Sequence, residues 1–454
     1  MFWDKIKKLI LLDEEEFDDA LYTDEEFNGE EIKEEHEQEQ DNSFMGRIRR
    51  FAIPDEYTEE IEEPHINFRE RIKKFFAYEE KLIPVEKRRI SRIFDLPLLT
   101  LVIIIVAIGL IVIAGLRGDN AAFEPFYFFK KQLVAAIMGV FLMLIISRID
   151  YHAILRFAWL SYIVSIFLGV MVLVMPSTVE YGARRWLSFG GFSIQPATLI
   201  VLSTILVLTI LFSQQKELTF GRIMISGVVT MISVMLIMLQ HYLAYVIVLM
   251  LLFFLYVYIK KPKIALAFFG LGVAMLAVFL SMSPYSSSRL SVFLDPFNDP
   301  TSMGYQVIQS MYAIKEGGIF GKGLGAYELS YALPDAHHGY ILSAVSYQLG
   351  LVGAIILLLL LSLLCIRIAI IAAKSKDMLG FMLGAGICGK FVISTVFNTL
   401  NTVNMIPPTA FTGLPFVSYS GTALMLDLVA VGIILNISRQ TQNVNALSKK
   451  GGEA

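Results

Sequence analysis

Apolar stretches long enough to cross a bilayer recur along this chain from Leu96 to Ile437, and they limit what it can fold into. A helix needs about 20 predominantly apolar residues to span the hydrocarbon core. On that ruler ten stretches qualify, near Leu96–Leu116, Gln132–Ile146, Ile154–Met175, Pro196–Phe212, Met224–Leu239, Tyr242–Tyr258, Ile264–Met282, Tyr340–Ile371, Leu379–Val396 and Gly421–Ile437. Only Gln240–His241 separates the fifth from the sixth. Tyr340–Ile371 is longer than a crossing requires, which points to tilt or to a start above the bilayer. Hydrophobic residues make up 56% of the chain and charged residues 17%, values that few soluble domains reach. The sequence predicts an all-α polytopic membrane protein of about ten transmembrane helices, with a large extracellular loop between helices 7 and 8.

The net charge of −3 conceals an asymmetry, because more than half of the acidic residues precede Glu63. They lie in runs such as Asp13–Glu16 and Glu30–Glu39, followed by basic clusters at Arg47–Arg50, Arg69–Lys74 and Lys87–Arg92. Acid-rich segments poor in apolar residues stay solvated. Residues 1–88 therefore read as an acidic, mostly disordered cytoplasmic region, in which Ile66–Lys81 could form an amphipathic helix lying on the membrane. Residues 89–440 read as the membrane domain and 441–454 as a cytoplasmic tail. The first residues lack the apolar core and cleavage site of a signal peptide. Cys365 and Cys388 both sit inside apolar runs and read as small fillers. Basic residues at Lys87–Arg92, Arg148, Lys216, Lys260–Lys263, Arg367 and Arg439 fall on alternate turns, which places both termini in the cytoplasm by the positive-inside rule. Lys130–Lys131 and Arg184–Arg185 are exceptions on the outer side.

Four places carry candidate chemistry. Residues 284–339 form a long polar segment between two spans, and loops of that length are functional or disordered. Within it, Asp295-Pro296 and Asp299-Pro300 either start turns or hold a carboxylate in a partly dry cavity, able to take a proton from a sugar hydroxyl. The second place is Tyr181–Pro196, where Arg184 and Arg185 beside Trp186 either clamp a phosphate or anchor the chain at the interface. Thr402–Ser420 is the third, a loop with three prolines that can re-enter the membrane only where it is buried or lines a cavity. The fourth is Lys390, a lysine inside the ninth span, which needs a carboxylate, a carbonyl or a water-filled cavity. The adjacent His337 and His338 do not suit metal ligation, and Gly317–Gly325 lacks the strand and the ending of a phosphate loop.

GARRW, IQP, FLDPxxDPxxxGYQxxQS, the GGxxGKGLG run, LPxxH and LPFVSYSG occur here in the order and spacing of the SEDS proteins, the FtsW/RodA/SpoVE-like polymerases of bacterial peptidoglycan. The chain resembles this family over roughly residues 90–440. The resemblance implies a multi-pass protein of the bacterial plasma membrane that polymerises lipid II at the outer face with a class B penicillin-binding protein, without nucleotide and without nucleic acid. It implies Asp299 as the catalytic carboxylate. Arg184, Arg185, Trp186, Gln195, Tyr305, Gln306, Gln309, Lys322, His337 and Lys390 become candidates for binding substrate. No cofactor is implied with certainty, and a divalent cation stays open.

The chain also departs from the family pattern. The usual QPSE reads Gln195-Pro196-Ala197-Thr198, and the lysine that follows it is Val201. QPDLGTA reads Gln240-His241-Tyr242-Leu243-Ala244-Tyr245-Val246, and the paired glutamates after LPxxH are Tyr347 and Gln348. Two readings follow: a scaffold whose activity is retuned or lost, serving as a precursor binder or transporter, or an active enzyme whose structural ion pairs were removed together.

Overall fold

The structure is a computed structural model. It describes residues 95–116, 126–175, 179–180, 183–189, 192–213, 220–266, 269–270, 272, 289, 291–298, 303–325, 333, 336–408 and 413–451. The acidic N-terminal region, most of the seventh expected span and Asp299 lie outside the described residues.

Eleven helices order the described chain: α1 (Leu96–Ala114), α2 (Tyr127–Ile146), α3 (Tyr151–Arg156), α4 (Ala158–Val174), α5 (Pro196–Phe212), α6 (Phe220–Leu239), α7 (Leu243–Lys260), α8 (Met303–Gly317), α9 (Ile341–Ala373), α10 (Met378–Thr402) and α11 (Gly421–Gly451). Among the described residues seven of these are long and apolar enough to cross a membrane, and α4 and α5 are shorter apolar helices. Large apolar side chains such as Ile104, Phe141, Phe167, Met235 and Ile355 face outward. In water a surface of that kind would aggregate; here it suits lipid. Two of the inner helices, α5 and α11 over Gly421–Thr441, have most of their residues buried, α11 packing against α2 and α5 against α4.

The expected spans and the helices agree closely at some ends. Pro196–Phe212 is reproduced to the residue. The second helix begins at Tyr127 rather than Gln132, because lysines at a helix end can extend their heads toward water while their stems stay apolar. Gln240–His241 does reverse the chain: His241 takes a φ of 55° and its N–H donates to Met238 O at 2.9 Å, a left-handed helix stop.

The length of α9 has a local cause. Its helix is interrupted at Gly350, with φ 72° and ψ −177°, a conformation essentially reserved for glycine. The freed backbone groups find partners in the Gly317–Gly325 run. Leu351 N donates to Gly318 O (2.9 Å), Val352 N to Ile319 O (3.2 Å), Lys322 N to Tyr347 O (2.8 Å) and Gly323 N to Gln348 O (3.1 Å). A Cβ on Gly350 or Gly321 would meet the opposing backbone. The glycine run is thus a splice across a broken helix, which satisfies the rule that interrupted backbone at membrane depth must be sealed by protein.

One end of the bundle is tied by three helix caps. Asp95 caps α1, accepting from Leu98 N at 3.1 Å, and is held by Arg367 of α9 at 2.8 and 3.1 Å and by Ser438 of α11. Asp150 caps α3 and Asp377 caps α10. His152 bridges them, its Nδ1 2.7 Å from Asp150 and its Nε2 2.8 Å from Asp377. The Tyr151 hydroxyl donates to Asp377, and Asn436 accepts from Tyr151 N at 3.0 Å. Five helices meet through this one polar cluster.

Candidate active-site cleft

The opposite end of the bundle is built from turns. Two antiparallel hairpins precede α5: β1 (Val179–Glu180) with β2 (Ala183–Arg184), then β3 (Leu187–Phe189) with β4 (Phe192–Ile194). The pattern Phe189-Gly190-Gly191-Phe192 is a hairpin signal, and α5 starts with proline at its first position, where a missing N–H costs nothing. Thr422 at the start of α11 donates to Ser193 O at 3.0 Å, fixing the second hairpin to the bundle.

Residues 413–420 form a second wall. Ser418 Oγ accepts from Leu414 N at 2.7 Å and donates to His338 O at 2.8 Å. Tyr419 N donates to His337 O at 2.8 Å. From α2, Gln132 donates to Ser418 O and accepts from Ser420 N, at 3.0 and 3.2 Å. Residues 413–420 of the proline-bearing loop are therefore largely buried and line a cavity.

Between these walls lies a narrow, partly open cleft lined by Gln195, Tyr245, His338, Lys390, Ser418, Ser420 and Asp427. A second, smaller cavity shares Lys390 and Asp427 with it and is also lined by Thr198 and Val201. Lys390 of α10 forms an ion pair with Asp427 of α11 and lies 4.9 Å from the Phe391 ring. The lysine has found both a carboxylate and a cavity. Asp427 escaped the reading of the sequence, although a lone aspartate in an apolar span is itself a functional signal. Thr198 and Val201, at the positions where the family pattern has an acid and a lysine, line the same space that now holds one lysine and one carboxylate. At the other departures, Gln348 is buried and donates to Val112 O at 3.2 Å.

Three sequence-derived candidates meet at the cleft or its rim: Gln195 and Lys390 line it, and the Trp186 ring is 6.4 Å from that of His338, another lining residue. Gln195 is 1% exposed, and neither Nε2 nor Oε1 has a partner among the described residues. The Arg185 guanidinium donates to His241 O at 2.8 Å and lies 5.0 Å from the Tyr242 ring, so it braces the turn between α6 and α7. Arg184 is paired with Val179 in the first hairpin. His337 stacks on Phe128 at 4.1 Å and packs edge-on to Tyr419. Burial, with His338 adjacent, lowers its pKa to about 3, which keeps the ring neutral. Tyr305, Gln306 and Gln309 lie half-buried on α8, a helix joined to α9 and α10 through Ser310, which bonds Ser343 and Thr402. Lys322 is exposed in the glycine splice. Asp295 is exposed and caps a short turn, accepting from Phe297 N at 3.0 Å, the plain turn-starting role.

The family model FTSW_RODA_SPOVE, described as "Cell cycle protein", matches residues 96–443. Stage V sporulation protein E of Bacillus subtilis is 34% identical over 359 residues, 77% of this chain and 98% of that protein. A probable peptidoglycan glycosyltransferase FtsW of Trichlorobacter lovleyi is 34% identical over 374 residues, 76% of this chain and 93% of that one. Among solved structures, a chain from work on the structural coordination of polymerization and crosslinking by a peptidoglycan synthase complex superposes with a TM-score of 0.64 at 24% identity, covering 77% of this chain and 99% of that one. The rod shape determining protein RodA of Thermus thermophilus gives 0.57 at 23% identity, covering 77% and 98%. Both show a shared fold. With one family model spanning the described helices and full-length relatives at 34% identity, this chain belongs to the FtsW/RodA/SpoVE family of cell cycle proteins.

Proposed function

We propose that the protein is a peptidoglycan glycosyltransferase that polymerises lipid II at the outer face of the bacterial plasma membrane, with both termini in the cytoplasm and a class B penicillin-binding protein as partner. The observation that carries this reading is convergence. The IQP segment, the residue that follows LPxxH and the LPFVSYSG segment are far apart in sequence, yet Gln195, His338 and Ser418 line one cleft. Relatives named peptidoglycan glycosyltransferase support the same assignment.

In this scheme an acceptor sugar hydroxyl attacks the anomeric carbon of the donor, Asp299 takes the proton, and undecaprenyl pyrophosphate leaves. Arg184 and Arg185 offset charge on the departing pyrophosphate, since guanidinium matches phosphate oxygens. Residues 1–88 hang into the cytoplasm as an acidic tether, and 441–454 form a short cytoplasmic tail. The test is incubation of purified lipid II with the protein, alone and with a class B penicillin-binding protein. Glycan strands are expected; no product from any combination, beside an active relative that makes it, overturns the proposal. The neutral residues at Thr198, Val201, Tyr347 and Gln348 favour one alternative, a precursor-binding scaffold. Under that alternative Asp299→Ala leaves the cellular phenotype intact while deletion of the gene does not.

A further inference from the structure

We infer that the cleft receives the sugar portion of its lipid-linked ligand, and that Lys390 and Asp427 form the floor that binds sugar hydroxyl and acetamido groups. The inference rests on the glycosyltransferase reading and deepens it by dividing the ligand: sugar in the cleft, pyrophosphate elsewhere.

A buried ion pair adds little net stability, because desolvation of two charges offsets their attraction. Ionisable residues within a span mark binding sites or conduction paths. The Lys390–Asp427 pair lines both the cleft and the smaller cavity beside it. Lys390 is partly buried and Asp427 is buried. An ammonium has three donors and a carboxylate about four acceptor positions, so their mutual contact leaves capacity on both for a ligand.

Gln195 supplies a second, independent observation. Its amide is buried, lines the cleft and has no partner at either side-chain atom among the described residues. Ser420 Oγ is in the same position. A buried amide offering both a donor and an acceptor matches another amide, such as an N-acetyl group, and an unpaired hydroxyl matches a sugar hydroxyl. Charge decides against phosphate. Among the described lining residues the charged side chains are this one lysine and this one aspartate, which cancel. An anionic pyrophosphate would gain from Lys390 only by facing Asp427. Neutral hydroxyls and amides use both members of the pair, and the His338 ring, packed edge-to-face with Trp186, lines the same cleft. Sites built to hydrogen-bond a hydroxyl or N–H strongly reject analogues lacking it, so the pair also determines specificity.

The test measures binding, not turnover. The full-length protein in lipid nanodiscs is titrated with two probes, lipid II and undecaprenyl pyrophosphate, which share lipid and pyrophosphate but differ in the sugars. Asp427→Asn is expected to weaken lipid II about tenfold, equivalent to about 1.4 kcal/mol, and Gln195→Leu to act in the same direction. Undecaprenyl pyrophosphate binding should be unchanged in both. Because a single charge removal can unfold the site, Lys390→Met/Asp427→Leu is carried alongside with its melting temperature; it should fold and lose the preference for lipid II. Equal losses for both probes, no loss for lipid II, or wild type that binds no lipid II would each overturn the inference. Wild type that binds lipid II with this pattern yet forms no glycan refutes the glycosyltransferase reading while leaving the sugar site established.

Discussion

Replacing Gly350 with alanine is the most informative structural perturbation. At φ 72° and ψ −177° a non-glycine residue costs about 1–3 kcal/mol in backbone strain. The new Cβ would also meet backbone atoms of Ile319 and Gly321, which cannot yield without displacing the glycine splice. Four backbone hydrogen bonds join the splice to α9: Leu351 to Gly318, Val352 to Ile319, Lys322 to Tyr347 and Gly323 to Gln348. At about 0.5–1.5 kcal/mol each, their loss brings the total to roughly 3–9 kcal/mol. That is comparable with the whole stability of a folded domain, about 5–15 kcal/mol. In detergent, melting followed by size-exclusion fluorescence should show a fall on the order of 10 °C. The matched control is Gly227→Ala in α6, where a Cβ meets only the Phe253 ring, at 3.9 Å. That change should be neutral or stabilising by up to about 1 kcal/mol. If Gly350→Ala melts like Gly227→Ala, the splice is not what seals α9.

Further outcomes follow from the other contacts. Burial alone would lower the pKa of His152, but its hydrogen bonds to Asp150 and Asp377 and their charges outweigh burial and raise it above 6.5. Burial would likewise raise Asp150 and Asp377, yet the hydrogen bonds led by His152 bring both down to about 2. The His152 contribution is thus complete below pH 6.5 and lost as pH rises through its folded pKa; the aspartate contribution holds above pH 3.8 and is lost as pH falls toward 2. Melting temperature should decline from pH 6 toward 9, and His152→Gln should flatten that slope; an unchanged slope contradicts the clasp. Asp427→Leu alone should destabilise by about 3–5 kcal/mol, and adding Lys390→Met should restore most of it, read as a double-mutant cycle in melting. Truncating residues 1–64 should leave membrane insertion intact, checked by fractionation; failed insertion would show that the acidic region does more than tether.

The helices were legible because lipid imposes one length and one polarity on each crossing, and Pro196–Phe212 shows how sharply. The break at Gly350 was not, because its cause lies in residues 317–323, which meet it only in the fold. Gln195 and Lys390 were legible as candidates from motif and from charge in a span, and both line the cleft. Asp427 carried the same signal as Lys390 and was passed over; only their pairing across α10 and α11 makes either intelligible. The role of His152 has no signal in the sequence, since Asp377, its partner, is 225 residues away. The Phe189–Phe192 hairpin had its Gly-Gly signal in plain sight, obscured by attention to the neighbouring arginines. The contact of Arg185 with the backbone carbonyl of His241 has no signature in sequence.

The central claim is that this chain joins lipid-linked sugars, and the most direct measurement is polymerisation of purified lipid II by wild type and by Asp299→Ala, side by side, each with a class B penicillin-binding protein present. The account predicts long glycan strands from wild type and none above background from the variant, with both proteins equally well folded. Equal product from the two, or product from neither while a relative polymerises the same substrate, would contradict it.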